Sequence, residues 1–437
     1  MQNRRNLVLG LGKTGVSVVR WLAARGEAIV VNDSRGAPPG ADEISPFGSS
    51  VVRRFGAFDH QLLDVVDQVV VSPGVSRQEP IVIEALDRGL PVIGDIELFA
   101  LSHVAPMVAV TGTNGKSTVT TLVAEMVTAS GKVAYAGGNL GVPALDLLSQ
   151  DQPDFYILEL SSYQLESTTS LHPTAAVVLN VTPDHMDRYG DLSAYADAKS
   201  RIYANARVGI LNADDPTVRK MKVPNGERRQ FGLVSDHCDY AVHDGWIVCR
   251  GESLMRVAEV RMPGAHNISN ALAAIAICDS IGIPHDAMCN VLRQFGGLPH
   301  RMQVVSEFHG VRYVDDSKGT NVGATVAAVE GLAEPIVLVA GGDGKGQDFS
   351  PLAHVLSGRV RHAVLIGRDR QILADAIAGA CSIEFASDMN EAVAAAARAA
   401  RPGNIVLLSP ACASLDMYRD YSERGDHFAE AARRLSA

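Results

Sequence analysis

The chain has no C-x-x-C pair. Its six cysteines, Cys238, Cys249, Cys278, Cys289, Cys381 and Cys412, are scattered through 437 residues. That spacing suggests neither a zinc site nor a disulfide framework, and free thiols in a reducing cytoplasm are expected. A long basic run is also missing, and the formal net charge is -10. Nucleic acid and anionic membranes are therefore not expected as main partners, and any anionic substrate must be held by local groups. No apolar stretch is long enough to span a bilayer, so no membrane insertion is expected. The start, MQNRRNLVLGLGKTG, has a short apolar run that turns at once into glycines. It reads as a strand and a turn, not a secretory leader. There is no short-period repeat and no low-complexity segment.

What is present is a steady alternation of strand-like apolar runs and Ala-rich helical stretches. The hydrophobic fraction is 47%, ordinary for a globular protein, and the length suits about two to four domains. The alternation predicts α/β architecture with mainly parallel sheets. Three blocks stand out, at 1–93, 94–297 and 298–437. The first holds strands in NLVLGLG, AIVVND and DQVVVSPG. The second holds strands in FYILELSS, AAVVLNV and RVGILNADD. The third holds IVLVAGGDGKGQDF, HAVLIGRD and NIVLLSPACASLD.

Gly10, Gly12 and Gly15 form a G-x-G-x-x-G between a strand and a helix, and Asp33 ends the next strand. This fits a dinucleotide fingerprint, with helix-start N–H groups facing a phosphate and the acid facing a ribose. Glycines that merely allow a tight turn fit as well. So does a different phosphorylated ligand, because Arg35 follows Asp33 closely.

The stretch VAVTGTNGKST is more specific. An apolar strand runs into a Gly-rich turn, and a helix-compatible run follows it. Such a turn cradles phosphate oxygens with backbone N–H groups. Lys116 can reach the outer phosphates, and the Ser117 hydroxyl can ligate magnesium. Only Thr113 and Asn114 separate Gly112 from Gly115, which is shorter than the usual loop. Downstream, Glu159 sits late in an apolar strand, where an unpaired carboxylate is costly and a cation would remove the cost. A local hydrogen bond or lysine would serve too. Another strand ends in NVTPDHMDRY, which gathers Asp184, His185, Asp187 and Arg188 where active groups of open α/β sheets collect. By composition, Lys199 in a helical stretch is a solvated surface lysine.

In this order, TGTNGKST, LELSSYQLE, NVTPDHMDRY, the AK-S-R-IY stretch, HNISNA, LPHR and DDSKGTN resemble the Mur ligase family. These are ATP-dependent amide-forming enzymes of peptidoglycan precursor synthesis, and their phosphate loop has the short form seen here. The resemblance covers essentially the whole chain. GLGKTGVS, GDIELF, GGDGKGQDF and SPACASLDMY look most like the member that adds D-glutamate to UDP-N-acetylmuramoyl-L-alanine. No D-N-P-R-type motif of the diaminopimelate-adding relative is visible.

The resemblance implies three domains: a Rossmann-like N-terminal domain, a central P-loop ATPase-like domain with a parallel sheet, and a Rossmann-like C-terminal domain. It implies a monomeric cytoplasmic enzyme that uses ATP and two Mg²⁺ ions. Gly112, Thr113, Asn114, Gly115, Lys116, Ser117, Thr118, Asn270, Arg301 and Asp316 would bind ATP. Ser117 and Glu159 would hold one Mg²⁺. His185 and Lys199 would hold the other, with Lys199 carbamylated. Lys116, His185 and Lys199 would be the catalytic set. Thr14, Asp33, Ser34, Arg35, Gly74, Asn139 and Gln164 would bind the UDP precursor. Arg188, Lys318, Thr320, Lys345, Ser414 and Tyr421 would bind D-glutamate, with Tyr421 standing where that member often has Phe. A family member of different specificity stays open as an alternative. So does a nicotinamide dehydrogenase or simple nucleotide-binding module, although that reading leaves Lys116, Ser117, Glu159 and His185 unexplained.

Overall fold

The computed structural model describes residues 4–186, 188–235, 238–262 and 264–435. The chain divides into two compact units. The first takes the described residues up to Val181, together with Ser193–Val257 and Asn270–Leu292. The second takes Thr182–Leu192, Ala258–Ser269 and the described residues from Arg293 onward.

Two sheets belong to the first unit. The N-terminal one is fully parallel, in the order Val51–Phe55, Ala28–Asp33, Arg5–Leu9, Gln68–Val71, Val92–Ile93. Strand order reverses between Arg5–Leu9 and Gln68–Val71, and the carboxyl ends at such a switch point form a ligand crevice. Gly10 and Gly74 follow those two ends. The helix Lys13–Ala23 comes so close to the first strand that a Cβ on Gly15 would meet the Gly10 carbonyl oxygen at 2.1 Å. Packing alone therefore requires glycine there.

The central sheet corrects an expectation. Seven strands from Ala134–Gly138 to Tyr240–His243 are parallel, but Trp246–Cys249 and Glu252–Arg256 extend the sheet antiparallel. The sheet is mixed because Asp244-Gly245 and Arg250-Gly251 make two-residue turns with positive φ at both positions. Such turns force adjacent strands into hairpins. The buried strand Met107–Thr111 lies between Phe155–Glu159 and Ala175–Val178, and the phosphate loop follows it.

The second unit has a six-stranded sheet, also mixed. Its order is Gln303–Phe308, Val311–Asp315, Ile405–Leu408, Ile336–Gly341, Val360–Ile366, Ser382–Phe385, with only the first pair antiparallel. Its inner strands are apolar on both faces, as buried parallel strands must be. Ile336, Leu338, Ile405 and Leu407 pack into one core; Val337, Val339, Val406 and Leu408 pack into another. Three adjacent strands, Val311–Asp315, Ile405–Leu408 and Ile336–Gly341, all end on one edge. From there run the loops DDSKGTN, SPACAS and GGDGKGQDF.

Candidate active site

The phosphate loop occupies the turn between the strand Met107–Thr111 and the helix Lys116–Ala129. Gly115 is left-handed, and a Cβ there would meet Asn270 Oδ1 at 2.4 Å. The loop is braced by Asn180. Its carbonyl accepts from Thr113 N at 3.0 Å, its Oδ1 accepts from Asn114 N at 2.8 Å, and its Nδ2 donates to Asn114 O at 3.1 Å. Lys116 Nζ donates to the carbonyls of Gly112 and Thr113 at 2.9 and 2.8 Å. Ser117 and Thr118, in the first helical turn, are buried. A helix N-terminus with a short glycine turn and a lysine is suited to holding a polyphosphate.

Two buried ionisable side chains lie beside this loop. Glu159 is 2% exposed, and its Oε1 accepts from Asn139 Nδ2 at 2.7 Å. Among the described residues its buried Oε2 has no hydrogen-bond partner. A carboxylate oxygen left this way costs energy that a cation would recover. Lys199 contradicts its compositional reading as a surface residue. It is 1% exposed, its Nζ donates to Gly112 O at 2.9 Å, and it lies 4.3 Å from the centre of the Tyr195 ring. The helix Leu192–Ser200 turns that residue inward, and the rest of the helix is a mixture of small and polar residues without a strong apolar stripe.

The candidate precursor residues also lie in the first unit. Asp33 is buried, and its carboxylate accepts from Leu11 N at 2.7 Å and from Arg35 N and Nη2 at 2.9 and 2.7 Å. Burial pushes its pKa up, but the hydrogen bonds from Arg35 and Leu11 prevail and hold it at about 2. Asp33 thus fixes the Gly10–Gly12 turn from within. Thr14 sits in the first helical turn, while Ser34, Arg35 and Gly74 are exposed. Gln164 is buried in a capping box with Ser161, and its Nε2 donates to Asp95 Oδ2 at 3.0 Å. Burial raises Asp95 to about 6, against the opposing pull of that Gln164 bond.

In the second unit, His185 and Lys345 both adopt left-handed backbone, at φ 59° and 50°. Strain of this kind in non-glycine residues tends to mark functional loops. Asp184 connects them: its Oδ1 accepts from His185 N at 2.9 Å and from Lys345 Nζ at 3.2 Å, and its Oδ2 accepts from Asn321 Nδ2 at 3.2 Å. Arg188 N donates to His185 O at 3.0 Å, and Asp187 lies outside the described residues. Lys318 Nζ stands 3.8 Å from the centre of the Tyr421 ring. Thr320 N donates to Lys318 O at 2.8 Å, and Ser414 is buried. Burial pushes Asp316 up to about 7, although Ser409, which donates to it at 2.8 Å, and the charge of Arg301 pull the other way.

Three family models account for most of the chain. The Mur ligase MurD-like N-terminal domain matches residues 4–94, the Mur ligase middle domain 110–278, and the Mur ligase glutamate ligase domain 300–412. The chain belongs to the Mur ligase family. A relative from Nitrosococcus oceani is 47% identical over 437 residues, covering 98% of this chain and 96% of its own length. One from Methylococcus capsulatus is 48% identical, covering 99% and 95%. Both are named UDP-N-acetylmuramoylalanine--D-glutamate ligase. Among solved structures, a pseudomurein peptide ligase type C from Methanothermus fervidus matches with TM-score 0.63 and 17% identity, covering 99% of this chain and all of that one (100%). A MurF ligase from Thermotoga maritima in complex with ADP matches with TM-score 0.62 and 16% identity, covering 99% of each chain. These two share the Mur ligase fold.

Sequence reasoning passed over two residues of this Mur ligase. Asn180 braces the phosphate loop, and its signal was its place at a strand end within NVTPDH. Arg424 is 1% exposed and donates to Ser317 Oγ, Ser317 O and Cys412 O at 3.0, 2.8 and 3.0 Å. It thereby ties together the two loops that carry Lys318 and Ser414. Arg424 shares the buried face of the helix Tyr421–Arg434 with Phe428 and Ala431. That spacing is the signal, masked by the charge of the side chain.

Proposed function

We propose that this Mur ligase joins D-glutamate to UDP-N-acetylmuramoyl-L-alanine at the expense of ATP, as a step of peptidoglycan precursor synthesis. What carries the reading is near-half identity, over almost the full length, to enzymes named for that reaction. The phosphate-loop geometry supports it. The domain limits we assign are 1–93 for the precursor, 94–297 for ATP and 298–437 for the amino acid.

A carboxylate is a poor acyl donor. In the first step its oxygen attacks the γ-phosphorus of ATP, the bond to the β,γ-bridging oxygen breaks, and ADP leaves an acyl phosphate. The amine of D-glutamate then attacks the activated carbonyl, loses a proton, and phosphate departs. The loop Gly112–Ser117 orients the phosphates through its N–H groups, and Lys116 neutralises charge at the transferred group. Bound Mg²⁺ supplies the positive charge that lets two anions meet. Ser117 and Glu159 are assigned to one ion, and Glu159 Oε2, which has no hydrogen-bond partner among the described residues, fits that role.

Lys199 as an ammonium cannot ligate a cation. Attack of its neutral amine on CO₂, with release of a proton, gives a carbamate with two oxygen ligands, and we assign this form with His185 to the second ion. Asn270, Arg301 and Asp316 are assigned to the nucleotide. Thr14, Asp33, Ser34, Arg35, Gly74, Asn139 and Gln164 are assigned to the precursor. Asp33 acts there by holding the turn.

Arg188, Lys318, Thr320, Lys345, Ser414 and Tyr421 are assigned to D-glutamate. Its two carboxylates need cationic and hydroxyl partners, while its attacking amine must arrive uncharged. Phosphate release with UDP-N-acetylmuramoyl-L-alanine and a panel of amino acids tests this reading. Release should depend on D-glutamate.

A further inference from the structure

The hairpins that make the central sheet mixed bring together a cluster the ligase reaction does not use. Cys249 ends the strand Trp246–Cys249, Asp279 lies in the last turn of the helix Ala265–Ser280, and His285 opens the helix His285–Gln294. One ligand-type atom from each lies within 4.8 Å of the others. Cys249 Sγ is 3.8 Å from His285 Nε2, which is 3.6 Å from Asp279 Oδ1. Tetrahedral zinc, with bonds of about 2.0–2.3 Å, sets its ligand atoms about 3.3–3.6 Å apart. The cluster is therefore within a few tenths of an ångström of that geometry along two edges.

The surroundings prepare these atoms for a cation. The Asp279 carboxylate is divided: Oδ2 accepts from Tyr240 Oη at 2.7 Å and from Arg229 Nη1 at 3.1 Å, leaving Oδ1 toward the imidazole. Glu252 lies 3.9 Å from the other ring nitrogen, Nδ1. Neither Glu252 nor Asp279, whose Oδ1 is 3.6 Å from Nε2, holds the ring by a hydrogen bond, so Nε2 can present its lone pair to a cation. Two arginines stand close by, but Arg229 also pairs with Glu227 at 2.7 Å, and Arg250 is 3.7 Å from Asp279. Once the thiol is ionised, Glu227, Glu252, Asp279 and Cys249 outweigh the two guanidiniums by two negative charges. A dication restores neutrality. A thiolate with an imidazole selects zinc over magnesium.

We propose that Cys249, Asp279 and His285 form a structural zinc site, with water completing the tetrahedron, pinning the hairpins to the two helices. The C-x-x-C spacing that usually betrays such a site is absent because its ligands come from three separate elements. Zinc takes the Cys249 sulfur as its thiolate. Binding therefore releases one proton to solvent.

The test uses the full chain without nucleotide, titrated with Co²⁺ and then Zn²⁺. One equivalent of Co²⁺ should produce a thiolate-to-metal charge-transfer band, which Zn²⁺ bleaches. Cys249→Ser should abolish the band while ligase turnover stays unchanged, and His285→Gln should weaken Co²⁺ binding at least tenfold. If no band forms, or if it persists in Cys249→Ser, the proposal is overturned. Circular dichroism checks that each variant is folded. Should Cys249→Ser not fold, His285→Gln decides, because that side chain is 37% exposed and tolerates change. Undiminished Co²⁺ affinity in that variant overturns the proposal equally.

Discussion

The Nζ of Lys199 lies 2.9 Å from the carbonyl oxygen of Gly112, so a fully buried lysine reaches the first residue of the phosphate loop. Conversion to a carbamate would put oxygen ligands beside that loop. Lys199→Ala should be nearly inactive, and acetate or formate should restore part of the activity by supplying the missing oxygen ligands. Full activity in the alanine variant would end the assignment.

Lys116→Ala should abolish turnover and leave the fold intact. Its Nζ sits on the loop carbonyls of Gly112 and Thr113, and its charge matters at the transferred group. Steady-state phosphate release, with circular dichroism as the fold control, checks this. Near-normal release would refute it.

Glu159→Gln keeps the shape beside Asn139 but removes the charge. The Mg²⁺ concentration for half-maximal activity should rise about tenfold or more, because loss of even an outer-shell partner typically costs about 10–100-fold in metal affinity. Thermal stability without Mg²⁺ should not fall. An unchanged Mg²⁺ dependence would remove Glu159 from the ion.

Lys345→Ala should raise KM for D-glutamate by about tenfold to about a hundredfold, since a charged hydrogen bond contributes roughly 1.5–3 kcal/mol and each 1.4 kcal/mol is about a factor of ten. ATP binding should change little. Because Lys345 also pairs with Asp184, a melting curve must accompany the kinetics. Lost ATP affinity with unchanged D-glutamate use would contradict the assignment.

Asp95 gives a pH prediction. Burial raises it to about 6 from 3.8, so the folded chain holds this proton where the unfolded chain has lost it. Its contribution therefore declines as pH rises from about 4 to about 6 and is flat above. In urea titrations across that window, Asp95→Asn should lose this component of the slope. An unaltered slope would show that Asp95 is ionised throughout.

Much of this was legible in the sequence. Val-, Ile- and Leu-rich runs such as Ile336–Gly341 are strands because a parallel sheet buries both faces. The glycine spacing at Gly112 and Gly115 located the loop. The antiparallel end of the central sheet was missed: its signals, Asp244-Gly245 and Arg250-Gly251, flank a strand of only four residues, Trp246–Cys249. The burial of Lys199 and Arg424 was hidden, because composition places charged side chains in water. Only tertiary packing reveals what encloses them.

The most direct measurement of the central claim is phosphate release in the presence of ATP, Mg²⁺ and UDP-N-acetylmuramoyl-L-alanine, with each amino acid offered in turn. The account predicts release that requires both the precursor and D-glutamate, with L-alanine, L-glutamate and diamino acids far behind. Preference for another amino acid, or release indifferent to all of them, would contradict it.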